Sequence, residues 1–262
     1  MMGKRKIYVL ACGGTIAGKA ASADDLTGYE AGKTSIGELL DAVPAVSDYA
    51  EVKGEQFVNI DSSDMTEALW QALSARIQEV ADRDDVDGIV ITHGTDTMEE
   101  TAYYLDLTVH TRKPVVLTGS MRPATAISAD GPLNLLEAVQ AASDTALGDC
   151  GVVIVMNSVI HSARFVEKTD TTHVDTFKGR QMGCLGYMQD GRPMVYQNRC
   201  VNTPFFRLSF AADPSVRCRR LRLLSVSAPT TLCLWLGGKK VWSWPVSVTA
   251  RCRLPSGRPC SR

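Results

Sequence analysis

The chain has 262 residues, 45% apolar and 22% charged, with a formal net charge of −1, which argues against the disordered and membrane classes and leaves room for one large domain or two smaller ones. Its apolar runs, such as Val152 to Met156 or Val115 to Leu117, fall far below the roughly 18 residues that cross a bilayer, so no transmembrane helix is expected. After Lys4, Arg5 and Lys6 the stretch Ile7 to Ala11 is shorter than a signal-peptide core of about 7–15 residues and Gly13-Gly14 interrupts it, which predicts a cytoplasmic protein, or a periplasmic one if a leader precedes the given start.

In chain order, short β-branched runs alternate with amphipathic helices, the pattern of an α/β domain with a largely parallel sheet. Ile7 to Ala11, Gln56 to Ile60, Gly88 to Thr92, Val115 to Thr118 and Val152 to Met156 are continuously apolar rather than alternating, which predicts buried strands. Asp64 is the expected cap of a helix with Met65, Leu69, Leu73, Ile77 and Val80 on one face, ended by the polar turn Asp82 to Asp87. Gly131-Pro132 opens another, with Leu133, Leu136 and Val139 inward and Pro132 near the first turn. Functional residues of such a fold collect where strand-to-helix loops converge. Four strands run into polar clusters: Cys12-Gly13-Gly14-Thr15, Asp61-Ser62-Ser63-Asp64, His93-Gly94-Thr95-Asp96 and Gly119-Ser120-Met121-Arg122.

The charge is split along the chain. Residues 1–213 hold all 29 acids and 18 of the 28 bases, whereas residues 214–262 hold ten bases and no Asp or Glu. The same stretch carries four of the eight Cys and three of the four Trp, a strong departure from the composition of a globular domain. Cys12, Cys150, Cys184 and Cys200 are widely spaced and Cys218, Cys233, Cys252 and Cys260 form no C-x-x-C pair, so reduced thiols are expected rather than a zinc site.

Gly13-Gly14-Thr15-Ile16-Ala17-Gly18 lacks the G-x-G-x-x-G spacing of a dinucleotide loop and the Lys of a phosphate loop, which disfavours nucleotide binding. Two glycines before a hydroxyl residue allow either a packed turn or a tight bend that lifts the hydroxyl into a pocket, with N–H groups left to stabilise an oxyanion. In His93-Gly94-Thr95-Asp96-Thr97 the Thr-Asp pair either caps the next helix or forms part of a proton relay. A Thr hydroxyl needs a neighbour to move its proton, and a Lys held near a carboxylate can do so. The candidate is Lys168 in Ala163-Arg164-Phe165-Val166-Glu167-Lys168-Thr169, although a solitary Lys is usually only a solvated surface charge.

Taken together, C-G-G-T-I-A after a strand, H-G-T-D-T, T-G-S-M-R-P with S-A-D-G-P beyond it, and A-R-F-V-E-K-T resemble the bacterial L-asparaginase/glutaminase family, on its high-affinity type II branch, over roughly 80% of the chain. The resemblance implies an α/β fold with a Rossmann- or flavodoxin-like, largely parallel sheet and flanking helices, and an amidohydrolase that converts L-asparagine and water to L-aspartate and ammonia. It implies that Thr15 is the nucleophile, with Tyr29 from a mobile loop hydrogen-bonded to it. Thr95, Lys168 and Asp96 form a second triad in which Lys168 draws a proton from Thr95 and Asp96 holds the ammonium. Asp96 also binds the α-amino group of the substrate, Ser62 its α-carboxylate and Ser63 contacts it, while the backbone around Ser120 lines the pocket where ammonia leaves. No cofactor and no metal are required. L-glutamine differs by one methylene, which a pocket distinguishes by only about 1–3 kcal/mol, so some glutaminase activity is expected.

Two departures from the family stand out. Cys12 replaces the usual Thr and is expected to pack with little effect on the chemistry. From about Ser215 the chain resembles nothing in the family, in which a second α/β domain follows. The expected organisation is an N-terminal catalytic domain over 1–212 and an atypical basic tail over 213–262, which reads as translation in a shifted frame. Pro229, Pro245, Pro255 and Pro259 are expected to interrupt regular elements there. The family's homotetramer is expected only with the second domain, whose polar residues complete the neighbour's site, so the chain as written is expected to hydrolyse asparagine poorly or not at all; a non-catalytic remnant is the opposing class, and a completed chain reads alternatively as a mixed glutaminase-asparaginase. A nucleic-acid arm, drawn from ten positive charges and three Trp, is the weakest reading, so no nucleic-acid and no membrane partner is expected.

Overall fold

The computed structural model describes residues 3–20, 22, 29–30, 34–197, 230–236 and 239–246. The chain divides into two compact units, Met1–Ser209 and Phe210–Arg262.

The first unit begins with β1 (Arg5–Gly13), the short strands β2 (Lys19–Ala20) and β3 (Tyr29–Glu30), helices α1 (Ile36–Asp41) and α2 (Val46–Tyr49), and β4 (Ala50–Ile60). Then α3 (Glu67–Ala81), β5 (Gly88–Thr92), α4 (Met98–Thr108), β6 (Val115–Thr118), α5 (Gly131–Ala142) and β7 (Val152–Met156) alternate. The short strands β8 (Val159–Ser162), β9 (Glu167–Lys168), β10 (Phe177–Lys178), β11 (Gly186–Gln189) and β12 (Arg192–Val195) follow. Among the described residues one sheet has eight strands in the order β12-β11-β8-β7-β6-β5-β1-β4. The pairs from β4 to β7 are parallel and those from β7 to β12 antiparallel, so the α/β, mostly parallel architecture is as expected.

Both faces of the sheet are covered, which is why its central strands read as continuous apolar runs. On β1, Ile7, Val9 and Ala11 pack with Leu39, Val46, Leu135 and Val139 from α1, α2 and α5. Tyr8 and Leu10 point the other way, toward Leu73 and Ile77 of α3 and Met98 and Leu105 of α4. Leu10, Ile91 and Leu105 are fully buried, so truncating any of them to Ala costs about 2–5 kcal/mol.

The order β4-β1-β5-β6-β7 determines where the loops meet. The chain steps from β1 to β4 on one side, then crosses back over β1 to β5, so the sheet switches direction between β1 and β5. In open parallel sheets that crevice, outside the carboxyl ends of the strands, is where ligands bind.

Three expectations are corrected. The strand containing Gln56 to Ile60 is not buried: it starts at Ala50, pairs among the described residues with β1 alone at the sheet edge, and beyond Ala50 mixes exposed and half-buried residues. Its polar first half is held in a strand by register, Arg5 opposite Ala50 through Ala11 opposite Gln56, rather than by propensity. Asp64 does not cap α3; it ends a 3₁₀ turn, and two residues further on Thr66 is the cap, its hydroxyl accepting the Leu69 N–H. On α5 the inward face is Leu135, Ala138, Val139 and Ala142, leaving Leu133 54% exposed, because the helix is apolar on more than one side and this i, i+3, i+4, i+7 set covers the sheet.

In the second unit Thr230–Leu236 and Lys239–Val246 pair as an antiparallel hairpin, β13 and β14, with a register shift at Leu234/Trp235. Pro245 therefore sits within a strand, opposite Thr231, where the two-stranded ribbon leaves it an unpaired edge. Pro229, Pro255 and Pro259 lie outside the described residues. No helix among the described residues is long and apolar enough to cross a membrane.

Candidate active site

The loops after β1, β4 and β5 meet at backbone distance, and glycine is what permits it. Gly13 and Gly14 have φ of +94° and +81°, conformations that side chains rarely adopt. A Cβ on Gly14 would stand 2.4 Å from Gly94 Cα, and one on Gly94 would stand 2.7 Å from Ser62 Oγ. Thr15, Ser62 and Thr95 thus come from three strand ends onto one spot, and each is buried, at 6%, 4% and 5% exposure.

Thr15 opens a 3₁₀ turn in which Ala17 N–H donates to Gly14 O at 3.1 Å and Gly18 N–H to Thr15 O at 2.8 Å. Ser62 Oγ accepts the Asp96 N–H at 3.1 Å, and Ser62 O accepts the Thr97 hydroxyl at 2.7 Å. The neighbouring Ser63 is exposed, and its hydroxyl and N–H both donate to Asp61 Oδ1, at 2.6 and 2.8 Å.

Lys168 arrives from β9, paired with β10. Its ammonium donates to Thr95 Oγ1 at 2.9 Å and to Asp96 Oδ1 at 2.5 Å; the Lys168 side chain is 12% exposed and that of Asp96 63%. The Lys-Thr-Asp cluster that spacing alone left open is therefore assembled, and Thr95-Asp96 does not cap α4, whose N-cap Thr97 makes no side-chain cap bond. An ammonium has no lone pair, so the group acts as a relay only after Lys168 has given up a proton: the amine then takes the Thr95 proton and the ammonium that re-forms stays paired with Asp96.

Two tethers to α4 hold the Lys168 segment. Arg164 Nε donates to Asp106 Oδ2 at 2.8 Å, and Asp106 is nearly fully buried. The Lys168 N–H donates to the Glu99 carboxylate, which burial pushes up to about 7 although that N–H opposes the shift. Neither Glu99 nor Asp106 was legible as a site residue, since an acid in a helix reads as surface charge.

The loop after β6 is fixed by Asp130, which accepts the Met121 and Arg122 N–H groups at 2.9 Å each, and by Asn134, which donates to Gly119 O at 3.0 Å. Ser120 is fully buried and its hydroxyl donates to Arg122 O at 2.8 Å. A water-sized, mainly apolar cavity of about 20 Å³ lies among Ile16, Ser120, Gly131 and Leu135, beside the Thr15 turn and away from Lys168 and Asp96. Cys12 is buried in the α3–α4 side of the core, its thiol pushed up to about 12 by burial, so it is uncharged filler below the site. Tyr29 lies on β3 by its backbone, and its side chain is outside the described residues. Among the described residues no three His, Cys, Asp or Glu side chains group as a metal site would require.

The N-terminal domain of the asparaginase family matches residues 6–201. The chain is 53% identical over 186 residues to L-asparaginase 2 of Escherichia coli (strain K12), covering 71% of this chain and 53% of that protein. It is 48% identical over 186 residues to the glutaminase-asparaginase of Pseudomonas aeruginosa, covering 71% of this chain and 51% of that one. The crystal structure of a probable cytoplasmic L-asparaginase from Campylobacter jejuni superposes with a TM-score of 0.73 at 48% identity, covering 74% of this chain and 59% of that one. The chain spans about half the length of the curated relatives it matches.

Proposed function

The chain belongs to the asparaginase family, and we propose that its site hydrolyses the side-chain amide of L-asparagine to L-aspartate and ammonia, with a lesser action on L-glutamine. The observation that carries this reading is the Lys168 ammonium bonded to both Thr95 and Asp96, across the Gly14–Gly94 contact from Thr15.

Thr15 Oγ attacks the amide carbon, and its proton passes to the leaving nitrogen. Collapse of the tetrahedral adduct breaks the C–N bond and releases ammonia, leaving the acyl group on Thr15. Water then adds to that ester, its proton returns to Thr15 Oγ, and aspartate departs. We assign the activation of the water to Thr95, 2.9 Å from Lys168 Nζ: with Lys168 as the neutral amine, the Thr95 proton passes to Nζ, Thr95 takes the proton of the attacking water, and Asp96 holds the ammonium so formed. The Asp96 carboxylate, 63% exposed, faces the space where an α-ammonium can dock. Ser62 accepts from Asp96 N, so its own O–H serves the α-carboxylate. The Ser63 hydroxyl proton and N–H both already go to Asp61, so Ser63 contacts substrate as an acceptor, through its hydroxyl or carbonyl oxygen. Tyr29 is assigned to Thr15 by family resemblance, and the cavity at Ser120 has the size of one departing ammonia.

We assign 1–212 to the family's N-terminal domain and keep 213–262 outside it, since the family match spans 6–201. A homotetramer is proposed for a chain that carries the second family domain.

The test is ammonia release from asparagine by the full chain beside Thr15→Ala and Thr95→Ala, with circular dichroism to check the fold. Turnover lost in both variants supports the reading. A Thr15→Ala protein that keeps a tenth of wild-type turnover points to direct attack by water, with Thr15 positioning it.

A further inference from the structure

His93 is a buried titratable group that the proposed reaction does not use. It follows β5 and is 1% exposed. Its Nδ1 stands 2.7 Å from Gly94 O, and its Nε2 3.1 Å from Thr101 Oγ1 on α4, which in turn accepts Trp70 Nε1–H from α3 at 2.8 Å.

This chain of bonds defines where the protons are. The Gly94 carbonyl only accepts, so Nδ1 must carry a proton; in the neutral ring Nε2 then has none, and Thr101 Oγ1, which accepts the indole N–H on one lone pair, donates its hydroxyl proton to Nε2. Nδ1–H thus donates to the Gly94 carbonyl and Nε2 accepts from Thr101. The imidazole is neutral, because burial pushes it down to about 4. Bonded at both nitrogens and closed to solvent, the ring has no proton to exchange with a substrate, and its contribution is geometric.

Gly94 is where that geometry acts. Its Cα would be 2.4 Å from a Cβ on Gly14, its own Cβ would be 2.7 Å from Ser62 Oγ, and its carbonyl belongs to the peptide that carries Thr95. One backbone carbonyl therefore stands at the meeting point of the loops bearing Thr15, Ser62 and Thr95.

We propose that His93 is a positioning residue, which through the Trp70–Thr101–His93 chain clamps the Gly94 carbonyl and so sets the spacing between Thr15 and Thr95. The inference rests on the reading of those threonines as the reacting pair. An error of about 1 Å in such a spacing costs on the order of 100-fold in rate.

The experiment uses the full chain with ¹⁵N-labelled histidine, the His93 signals being assigned by their loss in His93→Asn. The expected spectrum is a neutral Nδ1–H tautomer that does not titrate between about pH 5.5 and 8.5. Thr101→Val, which removes the hydroxyl at nearly constant volume, is expected to shift the Nε2 resonance. It should raise amide exchange over 93–96 by about tenfold while exchange in α3 is unchanged, and lower kcat by about 10- to 100-fold with KM within twofold. Thr101→Ser should restore all three. An Nε2–H tautomer, a ring that titrates near its ordinary pH, or a Thr101→Val protein with unaltered exchange overturns the inference. If the parent chain releases no ammonia, the amidohydrolase reading fails, and the tautomer and exchange measurements still decide the positioning role.

Discussion

Lys168 Nζ donates to Thr95 Oγ1 at 2.9 Å although 73 positions separate the two residues. The contact depends on the tethers of the β9 segment to α4 through Asp106 and Glu99, because a two-residue strand supplies little rigidity of its own. Lys168→Met keeps most of the buried stem and removes the ammonium, leaving Thr95 without a proton partner and Asp96 without its cation. The expected result is a loss of roughly 100- to 10,000-fold in kcat with an unchanged far-ultraviolet spectrum. Residual activity within tenfold of wild type shows that Lys168 is not part of a relay.

The readable parts of the chain were those whose environment is uniform. β1, β5, β6 and β7 are covered on both faces, so burial and hydrophobicity coincide residue by residue. β8, β11 and β12 form the antiparallel end of the sheet, and their mixed exposure hides them; β4 fails for the same reason at the other edge. The strand-end clusters were visible because glycine and hydroxyl residues directly after apolar runs have few structural uses. Which of them meet was not visible: Lys168 by itself looked like a surface charge and the family resemblance gave it its role, while the buried His93 and Asp106 and the half-buried Glu99 look in sequence like ordinary polar residues of a loop and a helix. Only packing distinguishes an acid that faces a backbone N–H from one that faces water.

Glu99 makes one pH dependence testable. Its carboxyl is pushed up to about 7, chiefly by burial, whereas in the unfolded chain it has its ordinary value near 4.5. The folded state therefore binds more protons between those values, and Glu99 draws stability down as pH rises from about 4.5 to 7. Gln keeps an acceptor for the Lys168 N–H without the charge. Glu99→Gln is expected to match wild type at pH 4.5 and to exceed it by about 1–2 kcal/mol at pH 8, after allowance for partial exposure. Urea unfolding at the two pH values reads the difference, and a variant that is no more stable at pH 8 refutes it.

His161 acts with the opposite sign. It is 4% exposed on β8, its Nδ1 has no hydrogen-bond partner among the described residues, and burial pushes its pKa down to about 4, with Lys178 adding to the shift and Asp175 opposing it. The unfolded state binds the extra proton, so stability is complete above about pH 6.5 and is lost as pH falls from there to 4, by up to about 3 kcal/mol. His161→Leu removes the titrating group and an unsatisfied polar atom. Its stability is expected to fall less than that of wild type between pH 7 and 4.5 in urea titrations. An acid limb as steep as that of wild type means that His161 stays accessible to protonation in the folded chain.

Gly94 offers the most local test of how the three loops support the site. Its backbone has no positive φ, so Ala there carries no conformational strain, and any effect must come from the close approach. A Cβ would stand 2.7 Å from Ser62 Oγ and 2.8 Å from Ser62 Cβ, inside van der Waals contact, with Ser62 anchored on both sides by the Asp96 N–H and the Thr97 hydroxyl. Something must move, and the 3₁₀ turn that carries Ser62 at the end of the edge strand β4 is less constrained than the buried carboxyl end of β5. Gly94→Ala should therefore displace Ser62 rather than Thr95, at a cost of about 1–3 kcal/mol in stability. Under the proposed assignment Ser62 holds the substrate α-carboxylate, so KM for asparagine should rise by about tenfold or more while kcat falls less. Ser62→Ala is the control: it should reproduce the rise in KM without the full loss of stability. A Gly94→Ala protein whose kcat collapses while KM is unchanged would mean that β5 yields instead of the Ser62 turn, and that the strain is delivered to Thr95.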